Sequence, residues 1–134
     1  MSAFRDGNHA IQFLSGFFGQ EAQTDDKMFA GSGMVVAYTL RDLDVRVVLD
    51  GRKSPQPGSA YDFYVNDPAA PEPLTEFTTD SDTFNKLYNG EAQPMMVLMS
   101  GKVKTKGDVA AAMRLLPAMA RIIPHYKEYR KTHL

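Results

Sequence analysis

The sequence contains no cysteine in its 134 residues, which excludes disulfides, thiolate-held metals and a cysteine nucleophile. It has no basic excess: 15 Lys plus Arg stand against 16 Asp plus Glu, a formal net charge of −1, whereas a nucleic-acid-binding domain is expected to carry a positive surplus. It also has no apolar run approaching the ~18 residues of a membrane span. The longest near the start, Ile11 to Phe18, is interrupted by Gln12, Ser15 and Gly16 and has no small-residue cleavage site, so it reads as a helix of the mature chain. Histidine is scarce. His9, His125 and His133 fall in no metal-ligand spacing, and no G-x-S-x-G elbow or G-x-x-x-x-G-K-[ST] loop occurs.

A hydrolase or transferase needs a nucleophile beside a base, or paired carboxylates in a cleft. Gly31-Ser32-Gly33 precedes a strand instead of a helix, which suits a flexible strand start and not a phosphate loop. Asp80 and Asp82 stand at a helix start, where capping accounts for them. An enzyme is therefore not expected, and neither is a metal or a cofactor.

What the chain does contain is one domain's worth of alternating elements, read as a single domain over 1–134. Asp6 or Asn8 caps a first helix over about 8–19, with His9, Gln12, Phe13, Gly16 and Phe17 as its stripe. Gln20 to Lys27 is a loop or a short helix. Met34 to Leu40 and Val45 to Leu49 read as adjacent antiparallel strands, with Met34, Val36, Tyr38 and Leu40 on one face. Lys53 to Ser59 is a loop, Ala60 to Val65 a third strand, and the prolines at 68, 71 and 73 exclude helix interior and central strand before a fourth strand over Leu74 to Thr78.

The most informative stretch is FNKLYNGEAQPMMVLMSGKVKTKGDVAAAMRLL, residues 84 to 116. Thr79 or Asp80 caps a helix with Phe84, Leu87 and Tyr88 on one face, and Asn89-Gly90 stops it. Pro94 opens a short helix through Met99, whose five consecutive apolar residues predict burial on every side or a non-aqueous neighbour. Lys102 to Lys106 alternates as a fifth strand, its lysines solubilising an open face or blunting an edge. Gly107-Asp108 then leads into a helix over about 108–130 with Val109, Ala112, Met113, Leu116, Met119, Ala120 and Ile123 recurring at threes and fours. Pro117 and Pro124 each predict a kink, and Tyr126, Tyr129 and Arg130 read as a basic surface end of that helix.

The capped helix ending in Gly, then Pro-Met-Met, then G-K-V-K-x-K-G-D before an Ala/Met-rich helix resembles the sterol carrier protein-2 family, with a core match over about 30–120. The resemblance implies an α+β fold: a five-stranded, mostly antiparallel sheet in the order 3-2-1-4-5, with helices covering one face and enclosing an apolar tunnel. It further implies non-catalytic binding and transfer of a lipid, whether fatty acid, fatty acyl-coenzyme A or a sterol-like molecule. Matching the helix faces assigns Phe84, Leu87, Met95, Met96, Met99, Met113, Leu116, Met119 and Ile123 as lining. Methionine is unbranched and polarizable, so a methionine wall adapts to ligands of different shape. The competing reading is an interaction module that uses the same groove for a protein partner or a second copy, which leaves monomer and dimer open. At most transient membrane contact is expected, and no nucleic acid. The chain ends Thr132-His133-Leu134 where some relatives carry Ser-Lys-Leu, so a cytoplasmic location is expected.

Overall fold

The computed structural model describes residues 4–21, 33–52, 61–108, 110, 113, 114 and 116–133. Residues 22–32 and 53–60, with the segment, loop and strand-start readings that fall on them, lie outside the described residues, as do Val109, Ala112 and the side chains of Leu116 and Met119.

Strands β1 (Val35–Leu40), β2 (Val45–Asp50), β3 (Asp62–Val65), β4 (Thr75–Thr79) and β5 (Lys104–Gly107) form one sheet in the order β3-β2-β1-β4-β5. Every pairing is antiparallel except β1 with β4. Helices α1 (Gly7–Glu21), α2 (Ser81–Tyr88), α3 (Pro94–Met99) and α4 (Leu116–His133) complete the described elements. The α+β class, the five mostly antiparallel strands and their order are as expected.

The alternation in β1 and β2 assigns the two faces. Val36, Leu40, Val45, Val47 and Leu49 join the main core with Phe13, Leu14, Phe17 and Phe18 of α1, Phe84 and Tyr88 of α2, and Ile122 and Tyr126 of α4. On the other face Val35, Ala37 and Val48 are buried against Tyr64 and Ala70. The proline segment therefore covers part of that face, although it forms no strand.

Register puts Lys104 opposite Thr78 and Lys106 opposite Glu76, the face away from the helices, while Thr105 pairs with core-facing Phe77. Both lysines are exposed on an edge strand, where charge discourages further strand pairing. The strand begins two residues later than the alternation predicts, and Val103 is left to pack under α2 and α3.

Two helices differ from their predicted form. The buried stripe of α1 is Ala10, Phe13, Leu14, Phe17 and Phe18, with Gln12 and Gly16 outside it, because the wider pair-by-pair apolar pattern sets the face. Pro117 stands at the second residue of α4, where a missing N–H costs no intrahelical bond, and the residues leading into it lie partly outside the described ones. Pro124 does lie inside α4 and leaves the Ala120 carbonyl without its usual donor.

Candidate lipid-binding site

Helix α2 is the most firmly anchored element near the predicted site. Asp80 caps it, accepting from the Thr83 amide at 2.7 Å and the Thr83 hydroxyl at 3.0 Å. Burial raises the Asp80 carboxyl, but those two hydrogen bonds and the charge of Arg41 outweigh it and hold the group below its usual range. Asp42, in the β1–β2 turn, accepts from the Ser81 amide at 2.8 Å and its hydroxyl at 2.6 Å, tying the hairpin to the helix start. At the other end Gly90 takes φ +76 and its N–H reaches the Leu87 carbonyl, while Glu91 N–H reaches the Lys86 carbonyl, the predicted glycine stop.

This anchoring presents Phe84 and Tyr88 to the main core and Leu87 to a second, smaller one. Phe84 and Tyr88 have ring centroids 4.5 Å apart and both meet Tyr38, which stacks on Phe77. Leu87 instead joins Val97 of α3 and Val103, with Phe77, Ala92 and Leu98 alongside. Among the described residues, the two helix-side clusters have only Phe77 in common.

The predicted lining residues separate along this division. Phe84 is fully inside the main core, Leu87 is in the small cluster, and Met113 and Ile123 are partly buried. A Cβ placed on Gly90 would lie 3.1 Å from Ile123 Cγ2, so α4 passes directly over the end of α2. Of the two alternatives for α3, burial on every side or a non-aqueous neighbour, the first is not what is observed. Met95, Met96 and Met99 are 43%, 67% and 83% exposed, and Val97 alone is buried. The reason is size and place: fewer than two helical turns at the β5 edge offer one inward position, and the flanking side chains have no element to meet among the described residues.

The C-terminal segment is solvated at Lys127, Glu128, Lys131 and His133, as its charges suggested, but not at Tyr126. Tyr126 is completely buried, with Phe17, Phe13 and Tyr88 at centroid distances of 5.0–5.6 Å, and its hydroxyl donates to Asn85 Oδ1 of α2 at 3.0 Å. Burial pushes its hydroxyl above the usual tyrosine range, as it does those of Tyr38 and Tyr88. Tyr129 packs against Phe13, Phe17 and His133, and His125 Nδ1 meets the buried carboxylate of Glu21 at 2.8 Å. Arg130 remains partly exposed beside Glu91 at 4.0 Å. The signal for this docking was in the sequence: Ile122, Tyr126 and Tyr129 follow at spacings of four and three.

Two pockets lie away from the predicted lining residues. One of about 360 Å³ opens on the far side of the sheet beside Arg46, Tyr64 and Asn66, and one of about 230 Å³ lies between α1 and α4 beside Gln20, His125 and His133. Among the described residues no three His, Asp or Glu stand close enough to hold a metal, and no helix is long and apolar enough to cross a membrane.

A mixed sheet in this order, with helices on one face, defines a class of small α+β domains. The solution structure of sterol carrier protein domain 2 from Helicoverpa armigera superposes with a TM-score of 0.66 at 13% identity, over 92% of this chain and 95% of that one. The apo form of Sterol Carrier Protein 2 from Yarrowia lipolytica gives 0.59 at 19% identity, over 96% of each chain. In sequence, residues 14–120 match the SCP-2 sterol transfer family, and the chain belongs to that family. Membership and fold support binding or transfer of a lipid or sterol. Hydroxysteroid dehydrogenase-like protein 2 of Xenopus tropicalis is 42% identical over 48 residues, 33% of this chain and only 12% of that protein's length.

Proposed function

We propose that the chain is a non-catalytic lipid carrier that holds an acyl chain, a fatty acyl-coenzyme A or a sterol-like molecule between α2, α3 and α4. Leu87, Met113, Leu116, Met119 and Ile123 line it, Phe84 stands behind them in the closed main core, and Met95, Met96 and Met99 form its outer rim. The observation that carries this reading is the division of the helix-side apolar layer. Among the described residues, the main core is closed by aromatic packing under α1, α2 and α4, whereas the β4–β5 half is a small cluster bordered by exposed methionines. The small cluster beside a methionine-rich rim suits an apolar guest, because unbranched, polarizable methionines adapt to ligands of different shape.

The energetics need no chemistry. Removing roughly fifteen methylenes from water at ~0.8 kcal/mol each offers on the order of 10 kcal/mol before ordering costs, sufficient for micromolar affinity. Contacts of this kind are non-directional, and selectivity among chains of similar length is therefore loose.

Native mass spectrometry of freshly purified protein, followed by solvent extraction, tests the proposal. A near-stoichiometric acyl or sterol species is expected. Met113→Trp, at a partly buried position, fills the site and abolishes uptake of a fluorescent fatty acid while circular dichroism stays native. An empty protein that takes up no fatty acid overturns the carrier reading and leaves the groove to a protein partner.

A further inference from the structure

Methionine is the side chain that a mild oxidant attacks first in this protein, since neither cysteine nor tryptophan occurs in it. Its methionines differ widely in access. Met34 is 5% exposed in the main core and Met113 is partly buried, whereas Met95, Met96 and Met99 are 43%, 67% and 83% exposed. With about 100° of turn per residue, these three thioethers lie on one side of α3 and Val97, its buried residue, on another. α3 is therefore fastened to Leu87 and Val103 by a side chain that a peroxide leaves alone, while its sulfur atoms are open to solvent.

We propose that Met95, Met96 and Met99 form an oxidation site, at which a hydroperoxide converts the rim thioethers to sulfoxides and lowers the affinity for apolar cargo without unfolding the domain. The sulfur lone pair attacks the terminal oxygen of the hydroperoxide, so that the S–O bond forms as the O–O bond breaks. Sulfur gives up an electron pair and is oxidised, the peroxide is reduced, and the proton of the transferred hydroxyl departs with the leaving oxygen as water or an alcohol. A flexible apolar side chain has then become a polar, chiral one. The sulfoxide oxygen loses its water when cargo lies over it and gains no donor from an acyl chain, so contact that favoured binding now opposes it. Reductases specific for each sulfoxide epimer return the thioether, which makes the change reversible.

This inference deepens the carrier reading and rests on it for the effect on cargo. The order of oxidation does not depend on that reading, because it follows from exposure alone. The two are therefore read separately. Protein treated with hydrogen peroxide is digested and its sulfoxides are located by peptide mass, and uptake of a fluorescent fatty acid is measured before and after treatment, with far-UV circular dichroism as the check on folding.

Sulfoxide is expected at Met96 and Met99 while Met34 stays reduced and the dichroism stays native. Losing contact worth about two buried methylenes lowers affinity for the fatty acid on the order of tenfold, and treatment with both reductases restores it. Met95→Leu, Met96→Leu and Met99→Leu together keep similar apolar volume and remove the sulfur, so the uptake of that variant, whatever its starting level, does not change on treatment. Met34 or Met113 oxidised as fast as Met99, unchanged uptake in wild type oxidised at the rim, or a triple variant that loses uptake as the wild type does overturns the proposal. Untreated wild type that takes up no fatty acid overturns the carrier reading and with it the effect on cargo, whereas the order of oxidation still stands or falls by the peptide masses.

Discussion

The Tyr126–Asn85 hydrogen bond is the most informative place to perturb this protein, because it joins the C-terminal helix to the helix beside the proposed site. Tyr126→Phe keeps the ring and its contacts with Phe13, Phe17 and Tyr88, and removes only the hydroxyl that donates to Asn85 Oδ1 at 3.0 Å. Both residues are buried, at 0% and 5% exposure, so the amide oxygen cannot turn to water without opening the helix pair. Losing one partner of a buried pair costs about 1–3 kcal/mol, a substantial part of the ~5–15 kcal/mol that stabilises a typical domain. With a urea dependence of roughly 1–3 kcal/mol per molar, the unfolding midpoint should fall by about 1 M at unchanged slope. Far-UV circular dichroism is the appropriate signal, since the chain has no tryptophan. Asn85→Ala should cost less in the Tyr126→Phe background than alone, a coupling of about 0.5–3 kcal/mol. A midpoint unchanged by Tyr126→Phe, or an Asn85→Ala cost equal in both backgrounds, would refute the claim that this bond fastens α4 to α2.

Gly16→Ala should destabilise by about 1–3 kcal/mol although alanine is the better helix former by ~1 kcal/mol, because the new Cβ runs into the Tyr129 hydroxyl. In a Tyr129→Phe background the same change should become neutral or stabilising, as thermal or urea unfolding will show. Gly107→Ala should cost at least about 2 kcal/mol, since Gly107 takes φ +94 and an added Cβ meets the Leu74 carbonyl. Proteolysis within 93–108 should then accelerate. Asp80→Ala removes the α2 cap for about 1 kcal/mol. Because the folded Asp80 carboxyl titrates below its unfolded value, its contribution is complete above the ordinary aspartate range and is lost as pH falls through the depressed folded value. Wild type should therefore lose part of its margin over Asp80→Ala in acid, measured as converging midpoints, and a margin that widened in acid would refute the assignment.

The element order was legible because local physics enforces it. Period-two alternation from Met34 to Leu49, the Asp80 cap, the Asn89-Gly90 stop and the Gly107-Asp108 break each act within a few residues, and the structure shows each of them. The family was legible for a related reason: Gly107 stands at the β4–β5 corner, which leaves no room for a side chain, so the G-K-V-K-x-K-G-D run carries tertiary information in a local motif.

The candidate site was legible only in part. Periodicity selected Leu87, Met113 and Ile123 as inward-facing, but five apolar residues in a row said nothing about which of them α3 would expose. Likewise the charges around Tyr126 implied a wet surface, whereas aromatic packing against α1 determined its burial.

The sequence by itself determined which segments are helix and strand, where most of them begin and end, and which family the chain resembles, because caps, breakers and side-chain period act along the chain. Only the tertiary structure decided that Met95, Met96 and Met99 face outward at a sheet edge and that Tyr126 lies in the core. Exposure depends on which other element arrives to cover a face, and that is settled by contacts between residues as far apart as Asn85 and Tyr126.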